Sequence, residues 1–283
     1  MAILLGLDIG GTKLLVAAAT LDGRILRRVR QPTPQALDEG LALLKQMAHD
    51  VAAGEKIAAI GVAAGGPLDF ETGVVSPLHQ PAWRDVPLKR IMEEEFRAPF
   101  AVDVDTNLAA LGEYRFGPAQ PDRLLYITLS TGMGGGFIVD GHVYRGASGA
   151  HPEIGHQSVA YRGSFPRPIV CECGAEDCLE ALVSGNAIRR LYGKPAERLD
   201  DSEWEEVGHN LGQGLRNLAA NYAPNVIVLG GGVAIGAGDK LLRPAVDTMR
   251  RGLKIVPAPD VRLSALGYDT ALMGTIALAM TLT

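Results

Sequence analysis

The sequence predicts an α/β protein built from two similar domains. Its 283 residues, at roughly 150 per domain, make about two domains and leave ample chain for hydrophobic cores without disulfide or metal staples. A strand, glycine-rich turn and strand pattern occurs twice, about 120 residues apart, as a duplicated supersecondary unit would. Elsewhere strands alternate with helix-period stretches and no long linker intervenes, which favours an α/β architecture.

Ala2 to Leu7 is a short apolar run that Asp8-Ile9-Gly10-Gly11-Thr12-Lys13 turns, Leu14 to Ala17 resumes and Asp22-Gly23 turns back. In the second copy Leu124 to Leu129 is the first strand, Ser130-Thr131-Gly132-Met133-Gly134-Gly135-Gly136 the turn, Phe137 to Val139 the second strand and Asp140-Gly141 the reversal. Between the copies, Leu37, Leu41, Leu44, Met47, Ala48 and Val51 mark one helical face. Ile57 to Ala63 reads as a strand leading into Gly65-Gly66-Pro67, and Ala101 to Val104 as another leading into Asp105-Thr106-Asn107. The helical run Leu108 to Tyr114 stops at Gly117-Pro118, which sets the expected domains at 1–116 and 117–283, with the last helix packing back on the first. Ser202-Glu203-Trp204-Glu205 is a candidate capping box for a helix bearing Val207, Leu211, Leu215, Leu218 and Tyr222 on one face. The β-branched run Val226 to Leu229 then meets Gly230-Gly231-Gly232.

Composition excludes some function classes. Lys and Arg number 27 against 32 Asp and Glu, a net charge of −5, so no basic surface for nucleic acid is expected. The most apolar stretches, residues 2–7 and 270–282, are shorter than the roughly 20 residues that span a bilayer. No basic segment precedes the first apolar run, so a secretory signal is not expected and a cytoplasmic location is. The 35 glycines exceed the average share of about 7%, and the excess falls in the turns just described.

A glycine turn at a strand's end lets backbone N–H groups converge on an anion, because no side chain blocks the approach of a phosphate. Three such turns point to a polyphosphate, although each alone reads equally well as a tight turn. None has P-loop spacing or the dinucleotide-binding fingerprint. The cysteines carry a second signal. All three lie between positions 171 and 178, spaced C-x-C-x4-C, with His156 upstream. Three thiolates and an imidazole supply the four ligands of a structural zinc, a reading preferred over unligated buried thiols.

Asp8-Ile9-Gly10-Gly11-Thr12-Lys13, Leu129 to Gly136, Glu153-Ile154-Gly155-His156, Cys171 to Glu180 and Val228 to Gly232, in this order over nearly the whole chain, resemble the ROK family of bacterial sugar kinases and sugar-responsive repressors. The resemblance implies the duplicated actin-like ATPase (ribonuclease H-like) fold, with nucleotide between the domains and sugar deep in the cleft. It also implies a homodimer. Family repressors carry a helix-turn-helix domain ahead of the first glycine loop, and only seven residues precede Asp8, which disfavours that branch. The expected activity is ATP-dependent phosphorylation of a hydroxyl of a small sugar, a hexose or N-acetylhexosamine. The rivals are a catalytically silent sugar-binding sensor and a polyphosphate-dependent sugar kinase.

Phosphoryl transfer needs backbone donors around the phosphates, Mg²⁺ and a carboxylate to take the hydroxyl proton. Asp105 is the candidate base, placed there by the resemblance; on residues alone, Asp105 or Thr106 also reads as a helix N-cap. Asp8 is the candidate Mg²⁺ partner, through water, or else a turn aspartate. The nucleotide-binding set is Asp8, Gly10, Gly11, Thr12, Lys13, Thr131, Gly132, Gly134, Gly135, Gly231 and Gly232, with Lys13 read either as a phosphate neighbour or as an exposed strand residue. The substrate-binding set is Gly66, Asp105, Glu153, His156 and Glu180, the last three from the resemblance. The family pattern assigns zinc to His156, Cys171, Cys173 and Cys178, whereas His49, His79, His142, His151 and His209 are taken as ordinary. Three positions depart from that pattern: Val104 and Leu78 stand where Asn is usual, and His151-Pro152 where Ala-Gly is. The base is kept while part of the sugar-reading set changes, so an altered acceptor preference or weakened activity is expected.

Overall fold

The computed structural model describes residues 1–283, the side chain of Ser148 excepted. The chain forms two compact units. One comprises Met1–Gly117, Ala147–Gly149 and Asp269–Thr283, and the other Pro118–Gly146 and Ala150–Tyr268.

In the first unit, β1 (Ala2–Ile9), β2 (Lys13–Ala19) and β3 (Ile25–Pro32) form an antiparallel meander. Helix α1 (Leu37–Ala52) leads to β4 (Lys56–Ala64), parallel to β1. A small antiparallel sheet of β5 (Leu68–Asp69), β6 (Val74–Val75) and β7 (Val86–Pro87) follows, then α2 (Leu88–Phe96), β8 (Phe100–Val104) and α3 (Asp105–Phe116). The main sheet has the order β3-β2-β1-β4-β8. Period-2 alternation on β1 sends Ile3, Leu5, Leu7 and Ile9 into a core with Leu44, Met47 and Val51 of α1 and Met92 of α2, while Leu4 faces the opposite side.

The second unit repeats this order. β9 (Arg123–Leu129), β10 (Met133–Val139) and β11 (His142–Val143) form the meander. Short helices α4 (Glu180–Val183) and α5 (Gly185–Tyr192) precede α6 (Asp201–Tyr222), β12 (Val226–Gly230), α7 (Gly231–Ala237), α8 (Asp239–Gly252) and β13 (Asp260–Leu263). The sheet order is β11-β10-β9-β12-β13, with β12 parallel to β9 and β13. Two copies of one order, three antiparallel strands followed by two parallel ones, are the duplicated actin-like arrangement.

The last helix, α9 (Thr270–Met280), counts with the first unit, where it packs on α3, β1 and β4. Glycines make that approach possible. A Cβ on Gly6 would overlap the Thr275 and Ile276 side chains, one on Gly61 the Thr275 carbonyl, and one on Gly274 the Leu108 carbonyl.

Two local expectations need correction. The capping box of α6 is not at Ser202: the Asp200 side chain accepts the Glu203 N–H at 3.0 Å, and the Glu203 carboxylate accepts the Asp200 N–H at 2.7 Å. The acidic residue two places earlier thus takes the cap, satisfying two helix-end donors reciprocally. The second glycine turn is also shorter than its sequence, spanning Ser130–Gly132. Gly134, Gly135 and Gly136 lie inside β10, opposite Thr128, Ile127 and Tyr126. A Cβ on Gly135 would meet the Ile154 side chain and lie 3.1 Å from the Tyr126 carbonyl oxygen, so close packing explains that glycine.

Gly274→Ala is expected to destabilise the protein by about 3 kcal/mol, because the obstacle is backbone on a packed helix. Gly236→Ala, where nothing lies within 4 Å of the added carbon, leaves stability unchanged or slightly raised. Urea unfolding of the two variants measures the contrast.

Candidate functional site

The candidate residues fall in two groups, one in each unit. In the first, strand register does the gathering. Ile9 pairs with Ala64 and Ala64 with Val104, so the carboxyl ends of β1, β4 and β8 stop at one level. Open α/β sheets bind ligands at that edge. The segments leaving it carry Asp8, Gly66 and Asp105.

Gly10–Thr12 is closed by Gly10 N–H donating to the Lys13 carbonyl at 3.0 Å and is tied to β3 by Thr33 Oγ1 donating to the Gly10 carbonyl at 2.6 Å. Gly11 lies under His79, whose carbonyl oxygen would be 3.2 Å from an added Cβ. The Asp8 carboxylate is mostly buried, with Lys13 Nζ 4.0 Å away. Burial pushes the Asp8 carboxyl up to about 6, Lys13 opposes this, and the charge of Asp105 adds to it. Asp8, Lys13 and Asp105 therefore share one electrostatic neighbourhood.

Asp105 is the first residue of α3 and is exposed, whereas Val102 to Val104 before it and Thr106 to Gly112 after it are buried. The N-cap position belongs to Val104, which makes no side-chain cap, and Asp105 Oδ1 accepts the Thr106 N–H at 2.8 Å. Two residues that sequence reasoning missed hold this turn: buried Asp103 accepts the Val104 N–H at 2.8 Å and the Asn107 amide at 2.9 Å. Their signal was the i, i+4 spacing of Asp and Asn across a strand–helix junction. Val104 lies beside Gly66, whose added Cβ would be 3.8 Å from Val104 Cγ1, and Leu78 N–H donates to the Gly66 carbonyl at 3.0 Å. The two apolar departures thus border the same glycine.

In the second unit, Gly230 pairs with Thr128, which brings Gly231 and Gly232 alongside the Ser130–Gly132 turn. The turn is held by the start of α5, where Gly185 N–H donates to the Ser130 carbonyl at 2.7 Å and Asn186 N–H to the Thr131 carbonyl at 3.0 Å. Gly231 has φ +85° and no room for a Cβ against the Leu129 carbonyl, whereas a Cβ on Gly232 would meet nothing within 4 Å. Ser130, Thr131, Gly232 and Val233 are among the residues that line a recess of about 280 Å³.

Glu180 joins two features. Its Oε2 accepts the Met133 N–H at 2.8 Å, next to the glycine turn, and its Oε1 lies 3.9 Å from Cys171 Sγ. One ligand atom from each of His156, Cys171, Cys173 and Cys178 lies within 4.8 Å of the others. Cys171 Sγ is 3.7 Å from His156 Nδ1, and Cys173 Sγ is 3.8 Å from Cys178 Sγ. A tetrahedron with Zn–S of about 2.3 Å has edges of about 3.8 Å, so the set fits zinc. His156 Nε2 is 4.0 Å from Glu153, which is exposed, and His151 Nε2 is 3.5 Å from the same carboxylate. His151 was read as ordinary; its position two residues before Glu153 was the available signal.

The ROK family model matches residues 4–281. The chain belongs to the ROK family. The glucokinase of Halalkalibacterium halodurans is 30% identical over 95% of this chain and 92% of that protein. The crystal structure of the ROK hexokinase from Thermus thermophilus is 35% identical with a TM-score of 0.84, covering 99% of this chain and 98% of that one. The ROK family glucokinase from Streptomyces griseus, solved in complex with glucose and AMPPNP, is 29% identical with a TM-score of 0.80 and covers 99% of each chain. These neighbours share the duplicated actin-like ATPase fold of this ROK protein. Among the described residues, no helix is long and apolar enough to cross a membrane.

The two glycines of the third turn should behave differently. Gly231→Ala is expected to destabilise this ROK protein by about 2 kcal/mol, and Gly232→Ala to leave its stability within about 0.5 kcal/mol. Thermal denaturation of both variants measures the difference.

Proposed function

We propose that this ROK sugar kinase transfers the γ-phosphoryl group of ATP to a hydroxyl of a hexose or N-acetylhexosamine, with Asp105 as the base. The observation that carries the proposal is Asp105 itself, an exposed carboxylate between buried neighbours at the sheet edge where β1, β4 and β8 end. The hydroxyl oxygen bonds to the γ-phosphorus, its proton passes to an Asp105 carboxylate oxygen, and the bond from the γ-phosphorus to the bridging oxygen breaks to release ADP. Asp103 and Asn107 act as positioning residues that hold the turn presenting Asp105.

Backbone donors of Gly11 and Thr12, in the turn that Gly10 closes, with Lys13, and of Thr131, Gly132, Gly231 and Gly232 form the proposed phosphate and nucleotide contacts. Gly134 and Gly135 contribute by shaping β10. Magnesium fits near Asp8, where burial and Asp105 disfavour a bare carboxylate, and when bound it neutralises charge on the phosphates. Gly66, Glu153, His156 and Glu180 form the rest of the proposed sugar set. Zinc would be held by His156, Cys171, Cys173 and Cys178, with all four positions taken by protein, which suits it to ordering the segment and not to chemistry. Ligation through Nδ1 leaves the proton on Nε2, facing Glu153. Val104 and Leu78 give the acceptor site an apolar border, which favours a sugar with fewer hydroxyls to be read there.

Asp105→Asn is expected to lower kcat by 10²–10⁴-fold while AMPPNP binding stays within about twofold. Coupled-enzyme assays over a sugar panel, together with calorimetry, measure both; near-normal turnover rejects the base, and sugar binding without turnover on any sugar favours a silent sensor. Elemental analysis is expected to find about one zinc per chain. Cys178→Ser should lose that zinc and raise KM for the sugar more than KM for ATP; metal-free protein of normal stability and KM would refute the ligand set.

A further inference from the structure

The segment 76–85 joins β6 to β7 in the first unit. Its base is closed by the pairing of Val75 with Val86 and by Ser76, whose Oγ accepts the Asp85 N–H at 2.9 Å. Inside this loop, Arg84 Nη1 donates to three carbonyls of the same segment, those of Pro77 at 2.8 Å, Gln80 at 3.2 Å and Trp83 at 3.0 Å. The loop is thus wound around one cation, and its fully buried Trp83 packs on Gly40 of α1. Two contacts tie the middle of the loop to the candidate site. Leu78 N–H donates to the Gly66 carbonyl at 3.0 Å, and a Cβ added to Gly11 would stand 3.0 Å from His79 Cβ and 3.2 Å from the His79 carbonyl oxygen. Among the described residues, Arg84 bonds to neither glycine.

We propose that Arg84 is a positioning residue: by drawing the carbonyls of the 76–85 loop together, it seats His79 on the first glycine turn and Leu78 on Gly66. The proposal deepens, and rests on, the reading that Gly11 and Thr12 meet phosphate and Gly66 the sugar. A loop released from its seat gains backbone freedom at every residue, which opposes its return. Hydrogen bonds from a guanidinium are stronger than neutral ones, and the three acceptors are spaced three residues apart, so one side chain fixes the whole path. Gly11 lacks a side chain to restrict its own backbone, and the loop lying over it supplies that restriction. A turn restricted before nucleotide arrives has less freedom to lose on binding. His79 makes this contact through Cβ and the carbonyl, so Arg84 matters to it more than the imidazole does.

A double-mutant cycle in urea unfolding, without ligand, tests the seat. Gly11→Ala presses on His79 while Arg84 holds the loop; in Arg84→Met the loop yields, and the cost of Gly11→Ala should fall by about half. Calorimetry with AMPPNP in excess magnesium tests the consequence. Arg84→Met should weaken AMPPNP roughly tenfold although it touches no nucleotide contact. His79→Ala, which keeps Cβ and the carbonyl, should stay within about twofold. Val51→Ala, a core truncation in α1, should lower stability and also leave AMPPNP binding within about twofold, which separates positioning from lost stability. Additive stability effects of Arg84→Met and Gly11→Ala, or AMPPNP affinity unchanged by Arg84→Met, would overturn the proposal. If the wild-type protein binds no AMPPNP, the nucleotide reading fails, and the unfolding cycle still decides whether Arg84 seats His79 on Gly11.

Discussion

The constraint on which the candidate chemistry depends is the level at which parallel strands end. Hydrogen bonding between β1, β4 and β8 places Ile9, Ala64 and Val104 side by side, so the segments leaving these strands emerge together although they are far apart in sequence. The same pairing of β9 with β12 sets Thr128 beside Gly230. A shift of one residue in either register would turn the side chains to the opposite face and break the core alternation along with the site. Core packing and the gathering of Asp8, Gly66 and Asp105 are thus enforced by one set of backbone bonds.

Glycine does two different jobs in this protein, and the space around each position distinguishes them. At Gly6, Gly61, Gly112 and Gly274 an added carbon would run into α9 or into the helix it packs on, so these residues exist to bring backbones together. At Gly232 an added carbon meets open space, which leaves solvent or a ligand as the reason for its smallness. Gly231 combines a left-handed φ with a crowded surrounding and shapes the turn that exposes its neighbour. The high glycine content therefore reflects close packing as well as the turns proposed to hold the nucleotide.

Much of the fold was legible because its elements are periodic. The two meanders, the buried face of α1 and the strand Val226–Gly230 follow from alternation or helical spacing. Misreadings occurred where two residue types compete for one role. A run of glycines reads as a loop, yet Gly134–Gly136 continue a strand because β9 offers a complete ladder and Ile154 needs the space. Asp200 precedes α6 whereas Ser202 lies inside its first turn, and the carboxylate whose partner lies three residues on took the cap. Asp105, by contrast, stands at a junction that sequence reads well. The recess lined by Ser130, Thr131, Arg189, Glu197, Gly232 and Tyr268 left no periodic trace, since a glycine turn, the last turn of a helix and two 3₁₀ turns are brought together only by folding.

Glu180, a proposed sugar contact, is also part of the scaffold. One of its oxygens accepts the backbone N–H of Met133, immediately after the second glycine turn, and the other approaches Cys171 of the proposed zinc cluster. A carboxylate held by one backbone hydrogen bond has already lost part of its conformational freedom, so less ordering entropy opposes the sugar contact proposed for it. The same two contacts, a 2.8 Å hydrogen bond and a 3.9 Å approach, connect the cysteine cluster to the turn that borders the recess. Ordering of the cysteine segment by the proposed zinc would therefore be felt at the glycine turn as well as at Glu153.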